Sequence, residues 1–221
     1  MKFDFRAKTG EPCDANKWLS DWECEYPVYA YDEKYYVQLI QRAGDLSSDD
    51  FIVMGRWKDD AWTQGRWHPN VAMVAFPAWI AASVELPGLR LNKTSLKDFL
   101  ITWSDRLYPD TSSRSADKMK RFGLSRATTV AHFMSAGQFP ICDGRVRRAV
   151  NRLCSIRTPD EVSWYLKSYV TIFAELRSIC RSSARTLDKA YSPTAADENP
   201  QASVWIKRIK KYHVFNIGSV K

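Results

Sequence analysis

The chain has 221 residues, of which 45% are hydrophobic and 26% charged, and its 33 Lys+Arg against 25 Asp+Glu give a formal charge of +8. This is ordinary globular composition, enough for one large domain or two small lobes, and the basic balance predisposes the protein to polyanions without separating DNA from RNA or anionic lipid. Five cysteines stand scattered at 13, 24, 142, 154 and 180, with no CxxC pair or tight Cys/His cluster, so neither a zinc site nor an iron–sulfur loop is supported and no cofactor or metal is expected.

Reduced thiols fit a cytoplasmic protein. The N-terminal MKFDFRAKTGEP lacks the apolar core of a signal peptide. The most apolar run, 71–84, is too short to span a bilayer and contains Pro77. A soluble chain with no membrane partner and no obligate protein partner is the expectation.

In chain order, 1–30 reads as an irregular lead-in of mixed polarity. From Asp32 the pattern turns helical, with Tyr36, Leu39, Ile40 and Ala43 on one face and Gly44 as a stop. Ser47 followed by Asp50 has the form of an N-cap, and Phe51, Met54 and Trp57 then line one side of a second helix. The segment 65–70 reads as a loop, 71–84 as a buried helix broken or kinked at Pro77, and 86–88 as a turn. Asn92 or Thr94 is placed to cap a helix through Trp103, and 109–115 reads as a loop.

Two short helices are then predicted, 116–122 and 127–134, hinged at Gly123-Leu124-Ser125-Arg126. In the second, Ala127, Val130, Ala131 and Met134 share a face. Another helix follows Asp143, with Val146, Ala149, Val150 and Leu153 as its apolar positions. Thr158-Pro159-Asp160-Glu161 reads as a helix start, continued by Val162, Leu166, Tyr169, Phe173, Leu176 and Cys180. Residues 192–203 read as loose, and a basic segment, 204–214, closes a tail folded back on the rest. The fold class is mostly α, in two helical lobes.

Two segments carry chemistry. A tight turn at Gly123 to Arg126 would point backbone N–H groups out of a helix start, where they and the helix dipole attract a phosphate. Asp143 stands just before an amphipathic helix, where a carboxylate accepts backbone N–H bonds that favour its ionised form. Each feature alone is accounted for by packing or capping. An ionised carboxylate can also stabilise a sugar cation or accept a proton from water.

Together, the hairpin and the following FPICDGRVRRAV resemble the core of the helix-hairpin-helix DNA glycosylase superfamily, with the adenine glycosylase branch the nearest echo through FPI-x-DG-x-V-[KR]-R. The match runs from about Ala116 to Leu153, and a weaker echo is the Trp57-Lys58 pair at the end of an early helix. The resemblance implies a two-lobed fold with a base-binding cleft between lobes, an enzyme that flips a nucleotide out of duplex DNA, and Asp143 as the catalytic carboxylate. It places Gly123, Leu124, Ser125 and Arg126 on the phosphate backbone, with Arg145, Arg147 and Arg148 as further phosphate contacts.

The pattern departs from the family at Ser125, where a second glycine is usual, and at Ala127, near the usual lyase lysine. That points to a monofunctional glycosylase, with a displaced lysine such as Lys58, Lys118 or Lys120 as the alternative. The four-cysteine cluster loop is missing, so the base preference of the cluster-bearing branches does not carry over. Tyr36, Trp57, Lys58, Trp62 and Trp67 are candidates for the base pocket, with core packing the competing role for each aromatic. His68 and His132 fit structural roles as well, and Glu33, Asp59 and Asp60 are undistinguished candidates for a proton donor. Lys207, Arg208, Lys210 and Lys211 alternate with Trp205, Ile206, Ile209 and Tyr212, as a DNA grip or a solvated basic face. The substrate is a damaged base in repair, or a modified base of invading DNA such as glucosylated hydroxymethylcytosine. A non-catalytic DNA-binding module is the competing function.

Overall fold

A computed structural model describes residues 2–24, 33–58, 91–109 and 119–194, and the chain divides into two compact units: 1–30 with 144–158 and 175–221, and 31–143 with 159–174. The expectations for 65–70, 71–84, 86–88 and 204–214 lie outside the described residues, as do Trp62, Trp67, His68, Asp59, Asp60 and Lys118. Helix dominates the described residues. Among them no helix is long and apolar enough to cross a membrane.

The first unit corrects the reading of the N-terminus as irregular throughout. Helix α1 spans Ala15–Glu23, and the Asp14 side chain caps it by accepting the Lys17 N–H at 2.8 Å. Ala15, Trp18 and Trp22 recur at helical spacing and are all buried. Trp18 packs between Phe5, at 5.7 Å, and Tyr191, at 6.1 Å between ring centroids. Tyr191 belongs to a helix that runs Ala184–Thr194, so the segment read as loose from 192 is helical for its first three residues.

The helix after Asp143 forms as expected over Gly144–Cys154, with Val146, Ala149, Val150 and Leu153 buried. Thr158 does not start the next helix. Its N–H donates to Asn151 Oδ1 at 2.8 Å and it is buried beside the Gly144–Cys154 helix instead. A local cap thus lost to a tertiary hydrogen bond.

In the second unit, α2 spans Glu33–Gln41 and α3 spans Ser48–Lys58. The Ser47 N–H and hydroxyl both donate to Asp50 Oδ2 at 2.7 Å, the reciprocal cap expected at that pair. Phe51, Met54 and Trp57 are buried along one side of α3. Helix α4, Lys93–Ser104, starts at Asn92, whose side chain accepts the Thr94 and Ser95 N–H groups.

The segment 119–122 is not helical. Met119–Arg121 (β2) pairs antiparallel with Leu107–Pro109 (β1), and the Phe122 N–H extends the ribbon by donating to Arg106 O at 2.7 Å. So short a segment closes few helical hydrogen bonds of its own, while a neighbouring strand supplies partners for the backbone groups on one edge. Pro109 accordingly sits in a strand rather than at the start of a loop. Helix α5 then runs Gly123–Met134, so Gly123, Leu124, Ser125 and Arg126 are its first turn rather than a hinge between two helices. Gly123 makes the change of direction at φ +80, a conformation that L side chains rarely adopt.

The Gly144–Cys154 helix is α6. Helix α7, Val162–Trp164, passes into a π-helical turn, Tyr165–Tyr169, then into α8, Val170–Cys180, and the Ala184–Thr194 helix is α9. The wide π turn shifts the buried stripe: Tyr165 and Tyr169 face inward, and Leu166, expected inside, is only half-buried.

Gly123→Ala should destabilise the protein by about 1–2 kcal/mol, the cost of a Cβ in the left-handed region. Gly144→Ala, in a helix where a Cβ meets only ordinary contact, should be neutral or stabilising by up to about 1 kcal/mol. Urea unfolding of both variants checks the contrast.

Candidate active site

Residues 139–143 carry no helix or strand, yet Phe139, Pro140, Ile141 and Cys142 are all buried. Buried backbone without a ladder must find other partners. Here each residue has one. The Phe139 N–H donates to Ser135 Oγ at 3.2 Å, and Phe139 O accepts from His132 Nδ1 at 2.8 Å. Tyr165 Oη donates to Pro140 O at 2.8 Å, and Tyr169 Oη to Ile141 O at 3.2 Å. The Cys142 N–H donates to Thr128 Oγ1 at 3.0 Å, while the Thr128 hydroxyl donates to Leu124 O at 2.8 Å.

α5 thus supplies Thr128, His132 and Ser135, and the π turn supplies two tyrosines to consecutive carbonyls. His132 is fixed further. Its Nδ1 faces a carbonyl and so must donate, and in the neutral ring Nε2 then accepts the Tyr36 hydroxyl at 2.8 Å. The route into Asp143 is therefore tied along its length to packed helices.

Asp143 follows this tether immediately, and its Oδ2 meets Nζ of Lys58, the last residue of α3, at 2.6 Å. The two side chains keep 17% and 21% of their exposure, so the pair is reachable from solvent but mostly desolvated. At this distance and burial each charge favours the charged form of the other, and the contact is a short, charge-assisted hydrogen bond. Lys58 stands 85 positions from Asp143 in sequence, and the fold makes them a unit.

The rest of the expected pocket divides. Tyr36 and Trp57 lie in the packed core, 8% and 6% exposed, rather than lining an open wall. Their rings sit 5.7 Å apart, and Trp57 meets Phe133 edge-on at 5.2 Å. Core packing claimed these aromatics because they fall on the inner faces of α2 and α3. They fix the end of α3 that carries Lys58. Glu33 is only the first residue of α2.

Of the residues expected to meet phosphate, Leu124 is buried and its side chain is excluded from a surface contact, while Gly123, Ser125 and Arg126 are partly exposed. In the other unit, Arg145 is exposed and Arg147 and Arg148 are half-buried on α6. Among the described residues no group of three His, Cys, Asp or Glu side chains comes together to hold a metal. The five cysteines are free thiols.

Sequence reasoning did not single out Ser135, Thr128, Tyr165 and Tyr169 as supports of Asp143. A run of polar hydroxyl residues on the inner face of apolar helices was the available signal. No family model, no curated protein and no solved structure matches the chain.

Tyr165→Phe should cost about 1–3 kcal/mol by leaving a buried carbonyl unsatisfied. Burial, and secondarily the nearby Cys142, push the Tyr165 hydroxyl well above the usual tyrosine range. The folded state needs it protonated, so its contribution is complete below the ordinary tyrosine pKa of about 10 and is lost as pH rises through the elevated value. The variant should lose part of the alkaline fall in melting temperature that the wild type shows.

Proposed function

We propose that the protein is a monofunctional DNA glycosylase that flips a damaged or modified base from duplex DNA and hydrolyses its N-glycosidic bond, leaving an abasic site. The observation that carries the reading is the Lys58–Asp143 pair, held at 2.6 Å at the end of the buried 139–142 tether. The tether is the FPIC of the segment that resembles the helix-hairpin-helix glycosylase superfamily. A two-lobed fold of that superfamily is part of the proposal, with the hairpin reduced to the turn at Gly123 and the helix α5.

In this reading Asp143 stabilises the oxocarbenium-like sugar as the base departs and orients the water that attacks C1′. A carboxylate tied to rigid helices holds its position as charge develops, which is what preorganised electrostatic stabilisation needs. Gly123, Ser125 and Arg126 at the start of α5 hold a phosphate through backbone N–H groups and charge. Arg145, Arg147 and Arg148 add phosphate contacts, consistent with the formal +8 of the chain. The substrate is a lesion, in repair, or a modified cytosine of invading DNA, in defence. The site of action is the cytoplasm.

A second reading, prompted by a lysine standing at the carboxylate, is a bifunctional glycosylase and lyase in which Lys58 first gives up its proton and its amine then attacks C1′. Borohydride treatment during turnover would then trap a protein–DNA adduct. A third possibility, a binding module without chemistry, requires that Asp143 be dispensable.

Mass spectrometry of bases freed from a panel of lesion-bearing and phage-derived duplexes tests the proposal. Asp143→Asn should lower base release by about 100-fold or more while retaining DNA binding. Wild type that binds every duplex and frees no base leaves the binding module. Arg145→Ala should weaken binding on all sequences alike and reduce the slope of log affinity against log salt by about 0.9.

A further inference from the structure

A departing base takes the electron pair of its glycosidic bond, and a neutral base leaves as an anion unless it is protonated. We infer, resting on the glycosylase reading above, that Lys58 is the general acid that supplies this proton. Three observations point to it. Lys58 Nζ is already 2.6 Å from the carboxylate assigned to the sugar, so a nucleotide with C1′ at Asp143 and its base turned towards α3 has its base nitrogen within reach of the same ammonium. The side chain is 17% exposed, so it is accessible to an incoming nucleotide. Its backbone follows directly on Trp57, buried against Phe133 and Tyr36, which fixes where the side chain starts.

The charges also run in the right order. Before reaction, Asp143 keeps Lys58 protonated and in place. As the C1′–N bond stretches, positive charge grows on the sugar and draws on the same carboxylate. The hold of Asp143 on the Nζ proton weakens just as the base nitrogen gains its electron pair. The C1′–N bond breaks, that pair takes one proton from Nζ, and the free base leaves neutral with Lys58 as an amine. Water adds to C1′, and its proton returns to Nζ. The sum is one water consumed, one base and one abasic sugar formed, with Lys58 and Asp143 restored. A spare ammonium charge would otherwise oppose the cation at C1′. Proton transfer removes it at the step where it would do harm.

The test uses the full chain and the duplex from which wild type frees a base most rapidly. Single-turnover release is followed for wild type, Lys58→Arg and Lys58→Met across pH, with melting temperatures to verify folding. Arginine keeps the charge and a contact to Asp143 but does not give up a proton. Both variants should lose about 100-fold or more at about pH 8, and the loss should shrink severalfold by about pH 5.5, where solvent protons replace the missing acid.

A deficit that stays constant with pH would make Lys58 a positioning residue, and a deficit under about threefold would remove it from the chemistry. A borohydride-trapped adduct at Lys58 would make it the nucleophile. Each of these overturns the inference with the glycosylase reading intact. A wild type that frees no base from any duplex overturns the glycosylase reading itself, and is recognised before any Lys58 variant is compared.

Discussion

A buried chain segment without helix or strand must still satisfy its N–H and C=O groups, and the organisation of the second unit follows from how 139–142 meets that demand. The partners come from side chains rather than a backbone ladder: Ser135, His132 and Thr128 from α5, Tyr165 and Tyr169 from the π turn. Each bond is worth only about 0.5–1.5 kcal/mol net, but leaving one unmade costs more than making it gains. The segment therefore has one low-energy path, and the π turn is part of it. Its widened geometry brings Tyr165 and Tyr169 to consecutive carbonyl oxygens.

The consequence is an asymmetric pair. Asp143 leaves a tether that is fixed residue by residue. Lys58 reaches it from the end of α3 on a long stem whose root is locked in aromatic packing. Such a pair sets a carboxylate on a tethered segment against an ammonium at the end of a helix. Ion pairs of this kind contribute little certain stability, because partial desolvation offsets the attraction.

The segments proposed to contact DNA are organised differently. In α6 the apolar positions Val146, Ala149, Val150 and Leu153 are buried, and Arg145, Arg148 and Arg152 recur on the other side. At α5 the glycine with φ +80 lets a strand turn directly into a helix whose first turn points N–H groups outward. That strand is where the hairpin of two helices was expected. Pairing with β1 outweighed the helical leaning of the segment, because the partner strand gives so short a stretch backbone hydrogen bonds that an isolated helical turn would barely close.

Local rules were enough wherever a helix carried its own signals. The cap at Ser47, the apolar stripes of α3 and α6, Tyr36 and Leu39 of α2 and a stop near Gly44 were legible from spacing, and Asn92 was one of two candidates for its cap. Asp143 and the segment before it were also legible, as a motif. Helix α1 also carried local signals, the Asp14 cap and the spacing of Ala15, Trp18 and Trp22, and Thr158 binds Asn151 only seven residues away; tertiary structure alone decided that Trp18 packs on Tyr191 and that 119–121 is a strand. It also decided that Tyr36 and Trp57 are core, and that Lys58 meets Asp143 across 85 positions. Helix periodicity and capping act within a few residues and so are written in the sequence. Pairing of a strand, burial of a ring or the meeting of two charges depends on which distant segment arrives alongside, and that is settled only when the whole chain has packed.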